Sequence, residues 1–252
     1  MKLIALNTWG GRASEEKILD FISENSDTDI FCLQEVWWGG EHMAGKTAGG
    51  LALNNVVHQL LHKMQDQLPH HVERRANLYK GFYGLVMFVR NDFKIIHSGD
   101  VPIYREPGYV SATDRGDHGR SLQYVTLETP HGTRTIVNIH GLWQPGVGKG
   151  DLPDRITQSE KILNFTTTLD HPFVLCGDLN LRPDTESIRM LERAGMHNLI
   201  TEYGITSTRT NLYTKPERYA DYVFTSSGIE VQDFRVLPDE VSDHAALELQ
   251  FE

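Results

Sequence analysis

Short apolar runs that end in polar residues recur along the chain and predict buried strands. The clearest one covers residues 173–176 and leads into Gly177-Asp178-Leu179-Asn180. Four consecutive apolar residues are typical of a strand that is buried on both faces. Because residues two apart on a strand share a face, we expect Asp178 and Asn180 to face one site while Leu179 packs into the core.

The N-terminal part of the chain predicts a strand, a helix and a second strand, in that order. Apolar residues 3–6 end at Asn7, and the run 29–35 ends at Glu35. Between them, Ser14 is the predicted N-cap of a helix whose apolar residues recur at helical spacing. This order of elements favours a parallel strand pair within an α/β sheet.

The rest of the pattern predicts further strands, helices and loops. The predicted strands cover residues 83–90, 93–98, 122–127, 135–139, 222–224, 231–236 and 245–249, and the predicted helices cover residues 51–67, 154–169 and 184–193. Short turns predict two hairpins, one joining 83–90 to 93–98 and the other joining 122–127 to 135–139. We expect the loops 36–50, 100–118 and 141–153 to surround the strand ends. No repeat or linker interrupts the pattern, so we expect a single domain over residues 1–252.

Composition and charge narrow the class of protein. The apolar content of 39% and the charged content of 23% are ordinary for a soluble globular protein. The net charge of −10 would repel the phosphate backbone of a polynucleotide, which counts against dependence on long nucleic-acid contacts. No apolar run is long enough for a signal peptide or a membrane span, so we expect a cytoplasmic protein in which Cys32 and Cys176 are reduced.

Polar residues that carry chemistry recur at the predicted strand ends. They are Asn7, Glu35, His140, Asp178, Asn180, Asp221, Asp243 and His244. Carboxylates and amides without cysteine are the ligand chemistry of Mg²⁺ or Mn²⁺ rather than of zinc. Histidines that titrate near neutrality suit acid–base catalysis or stabilisation of phosphoryl oxygens. A metal ion with carboxylates and histidines is typical of phosphoryl transfer.

Each of these residues also has an ordinary structural interpretation. The motif Gly177-Asp178-Leu179-Asn180 alone is equally compatible with a strand followed by an Asx turn. Glu35 alone is compatible with a solvated carboxylate at the rim of a sheet, and His140 with a turn histidine. The pair Asp243-His244, directly before a predicted buried strand, is harder to explain by structure alone.

In order along the chain, these motifs resemble those of the endonuclease/exonuclease/phosphatase superfamily, which has the deoxyribonuclease I-like fold. The matching motifs are Leu6-Asn7-Thr8-Trp9, Leu33-Gln34-Glu35, Asn138-Ile139-His140, Gly177-Asp178-Leu179-Asn180, Asp221-Tyr222-Val223 and Ser242-Asp243-His244. The resemblance implies an α/β four-layered sandwich, in which two mixed β-sheets pack face to face with helices on the outer faces. It also implies a Mg²⁺-dependent phosphoester hydrolase in which Mn²⁺ can substitute.

The resemblance implies a role for each matched residue. The residues implied to bind the metal are Asn7, Glu35 and Asp243, and those implied to act in catalysis are His140, Asp178, Asn180, Asp221 and His244. Asp178 would orient or deprotonate the attacking water, and Asn180 would hold a phosphoryl oxygen. His244, oriented by Asp221, would stabilise phosphoryl oxygens or transfer a proton. His140 would act on the scissile phosphate.

Two departures from known branches of the superfamily leave the substrate open. Trp9 occupies the position at which the abasic-site endonuclease branch has an acidic neighbour of the metal. The stretch Phe82-Tyr83-Gly84 lacks the glutamate that pairs with the second histidine in the secreted deoxyribonuclease branch. The sequence therefore resembles neither branch closely.

Several residues near the motifs are candidates for binding the substrate. Trp37, Trp38 and Trp143 are candidates for an apolar or stacking wall, and Lys149, Arg155, Arg12 and Arg182 are candidates for phosphate contacts. Ordinary packing under loops is slightly favoured for the tryptophans, and Arg155 is equally compatible with a surface ion pair at the start of a helix.

The sequence leaves several substrate classes open. The acidic composition favours a compact phosphodiester or phosphomonoester, or a nucleic-acid end, over internal cleavage of duplex DNA. A DNA or RNA nuclease and a sphingomyelinase-like lipid phosphodiesterase are the alternatives. A non-catalytic binding module that keeps the fold without turnover is the alternative to an enzyme.

Overall fold

Two six-stranded mixed sheets with flanking helices form the protein, whose structure is a computed structural model. The structure describes residues 1–44, 47–48, 51–52, 55–110, 117–144 and 146–252. In chain order the elements are β1 (Lys2–Asn7), α1 (Glu15–Glu24), β2 (Ile30–Trp37), β3 (Thr47–Ala48), β4 (Leu51–Ala52), α2 (Leu60–Gln67), β5 (His71–Tyr79), β6 (Tyr83–Arg90), β7 (Lys94–Tyr104), β8 (Arg120–Thr129), β9 (Gly132–His140), α3 (Pro153–Thr166), β10 (Phe173–Asp178), α4 (Glu186–Arg193), β11 (His197–Asn198), α5 (Leu199–Glu202), β12 (Asp221–Thr225), β13 (Val231–Val236) and β14 (Leu247–Phe251). Short 3₁₀ helices lie at Trp9–Gly11 and Glu41–Met43.

The strand order brings the predicted motifs together at one end of the sandwich. The first sheet has the order β13-β14-β1-β2-β6-β5, and the second has the order β11-β12-β10-β9-β8-β7. The central pairs β1–β2 and β9–β10 are parallel, so the C-terminal ends of each pair lie at the same edge. A hydrogen bond of 3.0 Å between Asn7 Nδ2 and Asp178 Oδ2 joins these two edges.

The alternation of side chains along β1 shows how one apolar run serves two layers. Leu3 and Ala5 are buried between the two sheets, in one cluster with residues of β10 such as Val174. Ile4 and Leu6 pack on the opposite side, in one cluster with residues of α1 and α2. A central strand buried on both faces needs apolar residues at every position, which is the pattern that the sequence shows.

Helix α1 begins as the sequence predicts. The Ser14 side chain accepts a hydrogen bond from the backbone N–H of Lys17 at 3.3 Å, which satisfies one of the free donors of the first turn. Ile18, Phe21 and Ile22 form its buried face. The parallel pairing of β1 and β2 on either side of this helix is confirmed.

A chain of buried amides connects the two sheets beneath the motifs. Gln34 Nε2 of β2 donates to Asn138 Oδ1 of β9 at 2.7 Å, and Asn138 Nδ2 donates to Gln123 Oε1 of β8 at 3.2 Å. Gln123 Nε2 in turn donates to the carbonyl oxygen of Arg74 in β5 at 2.8 Å. Buried polar groups are costly without partners, so these bonds fix how the two sheets align.

The predicted hairpin between residues 83–90 and 93–98 is wrong. Strand β6 lies between β2 and β5, so both of its edges are already paired. Strand β7 instead crosses to the second sheet, where it pairs with β8. The hairpin partner of β6 is β5. The sequence did not predict this strand because His71–Tyr79 mixes charged and apolar residues, as an edge strand with an exposed face does.

Several other boundaries differ from the sequence prediction. The helix predicted over 51–67 begins only at Leu60, residues 51–52 are a short strand, and residues 53–54 lie outside the described part of the chain. The predicted loops 36–50 and 100–118 begin later than expected, because β2 continues to Trp37 and β7 to Tyr104. The hairpin of β8 and β9 is confirmed.

Two further expectations concern the cysteines and the membrane. Cys32 and Cys176 are buried free thiols, as predicted. Across the described ranges, no helix has the length and apolar character needed to span a membrane.

Candidate active site

A cavity of 390 Å³ lies at the edge where the two sheets meet. The term floor is used for the lining residues near strand ends and for two residues that hydrogen-bond to them. The lining residues of the floor are Glu35, His140, Asp178, Asn180, Asp243 and His244. Their hydrogen-bond partners are Asn7 and Asp221. We call its wall the other lining residues, namely Trp9, Arg12, Trp37, Tyr79, Tyr83, His118, Arg120, Trp143, Lys149, Arg209, Leu212, Tyr213, Thr214 and Lys215. All of the residues implied to act in catalysis or to bind metal are therefore brought together.

Strand register places three floor residues side by side. His140 of β9, Asp178 of β10 and Asp221 of β12 are register partners on neighbouring strands. Gly177 allows this close pairing, because a Cβ atom there would lie 2.2 Å from the carbonyl oxygen of Ile139. The geometry of the floor thus follows from the sheet itself.

The carboxylate of Asp178 is held by two hydrogen bonds. Its Oδ1 accepts from the backbone N–H of Asn180 at 2.8 Å, which is the predicted Asx turn, and its Oδ2 accepts from Asn7 Nδ2. Burial alone would raise the pKa of this carboxyl, but the charges of His244 and Lys149 outweigh burial and hold the pKa below its usual range. Asp178 is therefore an oriented, ionised carboxylate.

Glu35 reaches the cavity because β2 is irregular at this point. The register between β2 and β6 shifts between Leu33 and Val36, and Glu35 has a left-handed backbone with φ of 57°. Such bulges and left-handed residues are typical of active sites, where they redirect a side chain. Asn7 Nδ2 lies 3.4 Å from Glu35 Oε1, and burial raises the pKa of the Glu35 carboxyl.

The pKa values of the two floor histidines are shifted in opposite directions. His140 Nε2 lies 3.9 Å from Glu35 Oε1 and 3.8 Å from Asp178 Oδ2. Burial, followed by the neighbouring charge of Arg120, lowers the pKa of His140 to about 3. At neutral pH, His140 is therefore a neutral imidazole that can act as a hydrogen-bond donor or acceptor but not as a cation.

His244 is oriented by Asp221. Its Nδ1 lies 2.8 and 2.9 Å from the two carboxylate oxygens of Asp221, which fixes the proton on Nδ1 and turns Nε2 toward the cavity, 3.7 Å from Asp178 Oδ2. Burial and Arg209 lower the pKa of His244, but the carboxylates of Asp221, Asp243 and Asp178 outweigh them, so the pKa is raised. The surrounding carboxylates therefore stabilise the imidazolium form of His244 relative to an isolated imidazole.

The donor atoms of the floor suit a hard divalent cation. In the described residues, Asp178, Asp221 and His244 offer ligand atoms within 4.8 Å of one another, but His244 and Asp221 already hydrogen-bond to each other. Better placed is the half-buried carboxylate of Glu35, which lies beside Asn7 Nδ2 at the edge where the two sheets meet. The buried Oδ1 of Asp243 has no hydrogen-bond partner among the described residues. Oxygen donors of this kind fit Mg²⁺ or Mn²⁺.

Asn7 has a different contact from the one that its implied metal role requires. Its amide nitrogen faces the carboxylates, while its Oδ1 accepts from the backbone N–H of Trp9 at 3.0 Å. In this orientation Asn7 aligns Glu35 and Asp178 rather than offering an oxygen to the cation. Its predicted role as a metal ligand stays a prediction.

Three of the predicted substrate contacts need correction. Arg155 is fully buried and donates to the carbonyl oxygens of Leu142, Gly148 and Gly150, because it anchors the loop that precedes α3. Trp38 does not line the cavity, and its Nε1 donates to the carbonyl oxygen of Gly81. Arg182 is exposed and pairs with Asp184 at 2.9 Å. Trp37, Trp143, Lys149 and Arg12 do line the cavity.

The sequence did not reveal most of the wall. Arg209 NH1 lies 3.4 Å from Asp243 Oδ2, and its guanidinium lies 4.0 Å from the centre of the Tyr213 ring. His118, the last residue of the predicted loop 100–118, contacts Arg120 beside Tyr83. These residues lie outside every motif, and no spacing in the sequence links them to the strand ends.

Comparison with known proteins places the fold. The chain is similar in structure to a mannosyl-6-phosphatase from Bacteroides thetaiotaomicron VPI-5482, at 17% identity and a TM-score of 0.73, with coverage of 100% of this chain and 99% of that chain. It is also similar to D. rerio TDP2 complexed with single strand DNA product, at 14% identity and a TM-score of 0.72, with coverage of 100% and 98%. These similarities confirm the sandwich architecture that the sequence predicts.

Sequence comparison identifies the family. Curated protein sequences give no match to the chain. A model of the Endonuclease/Exonuclease/phosphatase family, however, matches residues 4–244. Because that match spans nearly the whole chain and includes every motif of the floor, the chain belongs to the endonuclease/exonuclease/phosphatase family.

Proposed function

We propose that the protein is a metal-dependent phosphoester hydrolase that acts on a compact substrate. The observation that carries this proposal is the convergence of Asp178, Glu35 and His244 on one cavity, each held by its own hydrogen bonds. Oriented carboxylates beside an imidazole that can carry a proton provide what water attack on phosphorus requires.

The size of the cavity and the net charge of the chain favour a small substrate. A volume of 390 Å³ is within the range of about 300–1,000 Å³ that is usual for small-molecule sites. The chain as a whole carries a net charge of −10, which opposes extended binding to a polynucleotide. A phosphorylated small molecule or a nucleic-acid end therefore suits the site better than the interior of duplex DNA.

Three floor residues have distinct tasks in this mechanism. Asp178 accepts a hydrogen bond from the attacking water and orients it toward phosphorus; its lowered pKa suits it to orientation more than to complete removal of the proton. His244 in its imidazolium form, which its raised pKa favours, places an Nε2–H beside the phosphoryl oxygens, and Asp221 keeps that ring in position. A bound divalent cation at Glu35 and Asp243 would neutralise charge on the phosphoryl group.

An activity screen with purified protein tests the proposal. Supercoiled plasmid, short oligonucleotides, nucleotides, sugar phosphates and sphingomyelin are incubated with Mg²⁺, with Mn²⁺ or with a chelator. We expect turnover of small phosphoesters that the chelator abolishes and that His244→Ala reduces by about 100-fold or more.

Two outcomes would contradict the proposal. Rapid nicking of plasmid with little turnover of small esters would show that the net charge does not govern substrate choice. Absence of hydrolysis across the panel, together with absence of Mg²⁺ and Mn²⁺ binding in calorimetry, would instead favour a binding module.

A further inference from the structure

The cavity has a charge opposite to that of the chain around it. The lining residues that the structure describes include five arginine and lysine side chains, namely Arg12, Arg120, Lys149, Arg209 and Lys215. They include three carboxylates, namely Glu35, Asp178 and Asp243. The complete chain carries a net charge of −10. Excess cations in a partly enclosed site attract ligands that carry more than one negative charge.

Lys149 is the cation with the most informative surroundings. Its side chain is buried, with a relative exposure of 5%, and its Nζ donates to Asn180 Oδ1 at 3.1 Å. That partner is a neutral amide, whereas Arg209 pairs with the carboxylate of Asp243. Burial lowers the pKa of Lys149 to about 8 although the nearby carboxylates of Asp178, Asp221 and Asp243 raise it, so the ammonium group persists at neutral pH without a carboxylate as its hydrogen-bond partner.

The fold holds this ammonium group in one place. Arg155 NH1 donates to the carbonyl oxygens of Gly148 and Gly150, on both sides of Lys149, at 2.9 and 2.6 Å. The carbonyl oxygen of Lys149 itself accepts from the backbone N–H of Arg182 at 2.9 Å. A buried cation held at the end of a fixed loop is suited to recognise one oxygen of a ligand.

Asn180 connects Lys149 to the reacting group. Its backbone N–H binds Asp178 Oδ1, while its side chain accepts from Lys149. Asn180 therefore links the ammonium group, through two hydrogen bonds, to the carboxylate that would orient the attacking water. A phosphoryl group bound next to Asp178 would lie within reach of Lys149.

We infer that Lys149 makes the site selective for a phosphoryl group with two negative charges, as in a phosphomonoester, over the single charge of a phosphodiester. This inference rests on the proposed function and names its substrate class. A phosphomonoester has a second pKa of about 6 and is mostly a dianion at neutral pH. Its additional charge is the natural counterpart of a buried ammonium group whose present partner is neutral.

Two esters with the same leaving group test the selectivity. The value of kcat/KM is measured with Mg²⁺ for p-nitrophenyl phosphate and for methyl p-nitrophenyl phosphate, in the wild type, Lys149→Met and Lys149→Arg. We expect Lys149→Met to lower the monoester value about 10- to 100-fold and the diester value much less, since removal of a charged hydrogen bond has this magnitude. Lys149→Arg, which keeps the charge, should retain the preference for the monoester.

A charge-matched control separates local from general electrostatics. Lys17→Met removes the same charge from an exposed position on α1 and should change the ratio of the two kcat/KM values by less than about twofold. Calorimetry with inorganic phosphate and no metal gives a readout independent of turnover. Weaker phosphate binding by Lys149→Met than by Lys17→Met is the expected result.

The outcomes distinguish the two levels of the proposal. An equal loss for both esters in Lys149→Met, or unchanged phosphate binding, would overturn the inference and leave the hydrolase function standing. If the wild type hydrolyses neither ester with Mg²⁺ or Mn²⁺ but binds phosphate through Lys149, the hydrolase function is wrong and the recognition of a dianion is retained.

Discussion

Residues of the floor and of the wall show two ways in which the fold holds a side chain at the cavity. Floor residues such as His140, Asp178 and Asp221 lie on paired strands, where the sheet register fixes their positions. Wall residues such as Lys149 and Arg209 lie in loops, where side-chain contacts fix them. Under the proposed function, the positions of these three floor residues depend on the sheet, whereas the position of Lys149, which would select the substrate, depends on a loop.

The largest expected effect comes from the floor. Asp178→Asn keeps the shape of the side chain and can still accept from the backbone N–H of Asn180, but it removes the charge that orients water and pairs with His244. We expect kcat/KM to fall about 1,000-fold or more, with a melting temperature close to that of the wild type. Steady-state kinetics and thermal unfolding measure the two quantities. Residual activity within tenfold of the wild type would remove Asp178 from the mechanism.

The same contrast explains what the sequence could predict. Each floor residue ends or precedes an apolar run, so its position follows from local periodicity, as at Asn7 and Asp178. The parallel order of β1 and β2 also follows from local elements. Pairing between distant segments does not follow from local elements. Strand β7 joins the second sheet because β6 already has β2 and β5 on its two edges, which the local sequence does not indicate.

Wall residues escaped prediction because a side chain's role there depends on its neighbours in space. Arg155 was interpreted as a phosphate contact or a surface ion pair from its charge and its place at the start of a helix. It is instead fully buried, because the loop before α3 turns its carbonyl oxygens inward and needs a donor. Similarly, nothing in the sequence indicates that Arg209 would stack on Tyr213.

An intermediate effect is expected where the wall is anchored. Arg155→Met leaves carbonyl oxygens of the loop without a donor and should displace Lys149. We expect monoester kcat/KM to fall about tenfold, and unfolding free energy to fall by about 1–3 kcal/mol. Ser159→Ala is the control, because Ser159 is fully buried on the same helix and makes no hydrogen bond to the loop through its side chain.

A double-mutant cycle shows whether Arg155 acts through Lys149. If it does, Arg155→Met should cause little further loss of kcat/KM in a protein that already carries Lys149→Met. Losses that multiply in the double variant would mean that Arg155 supports the fold in general and does not position Lys149. In that case the positions of the floor residues would depend on the loop before α3 as much as the position of Lys149 does.

The smallest effect is a pH dependence confined to the wall. The pKa of Lys149 is lowered, chiefly by burial, from 10.5 to about 8, so the ammonium group loses its proton as the pH rises through about 8. Monoester kcat/KM should therefore decline above that pH in the wild type. In Lys149→Arg this decline should be absent, because a guanidinium stays protonated, and in Lys149→Met it should also be absent, at a lower plateau. A decline of the same midpoint in all three proteins would assign it to another group, such as His244 of the floor.

The same titration has a consequence for stability, and its sign can be checked independently of catalysis. Because the folded-state pKa of Lys149 lies below its unfolded value, the unfolded chain binds more protons between about pH 8 and 10.5. The contribution of Lys149 to the free energy of unfolding should therefore rise with pH across this window. Urea unfolding of the wild type and Lys149→Met measures that contribution as a difference, which cancels groups common to both proteins. A difference that stays constant or falls with increasing pH would show that the ammonium group is not desolvated in the wall.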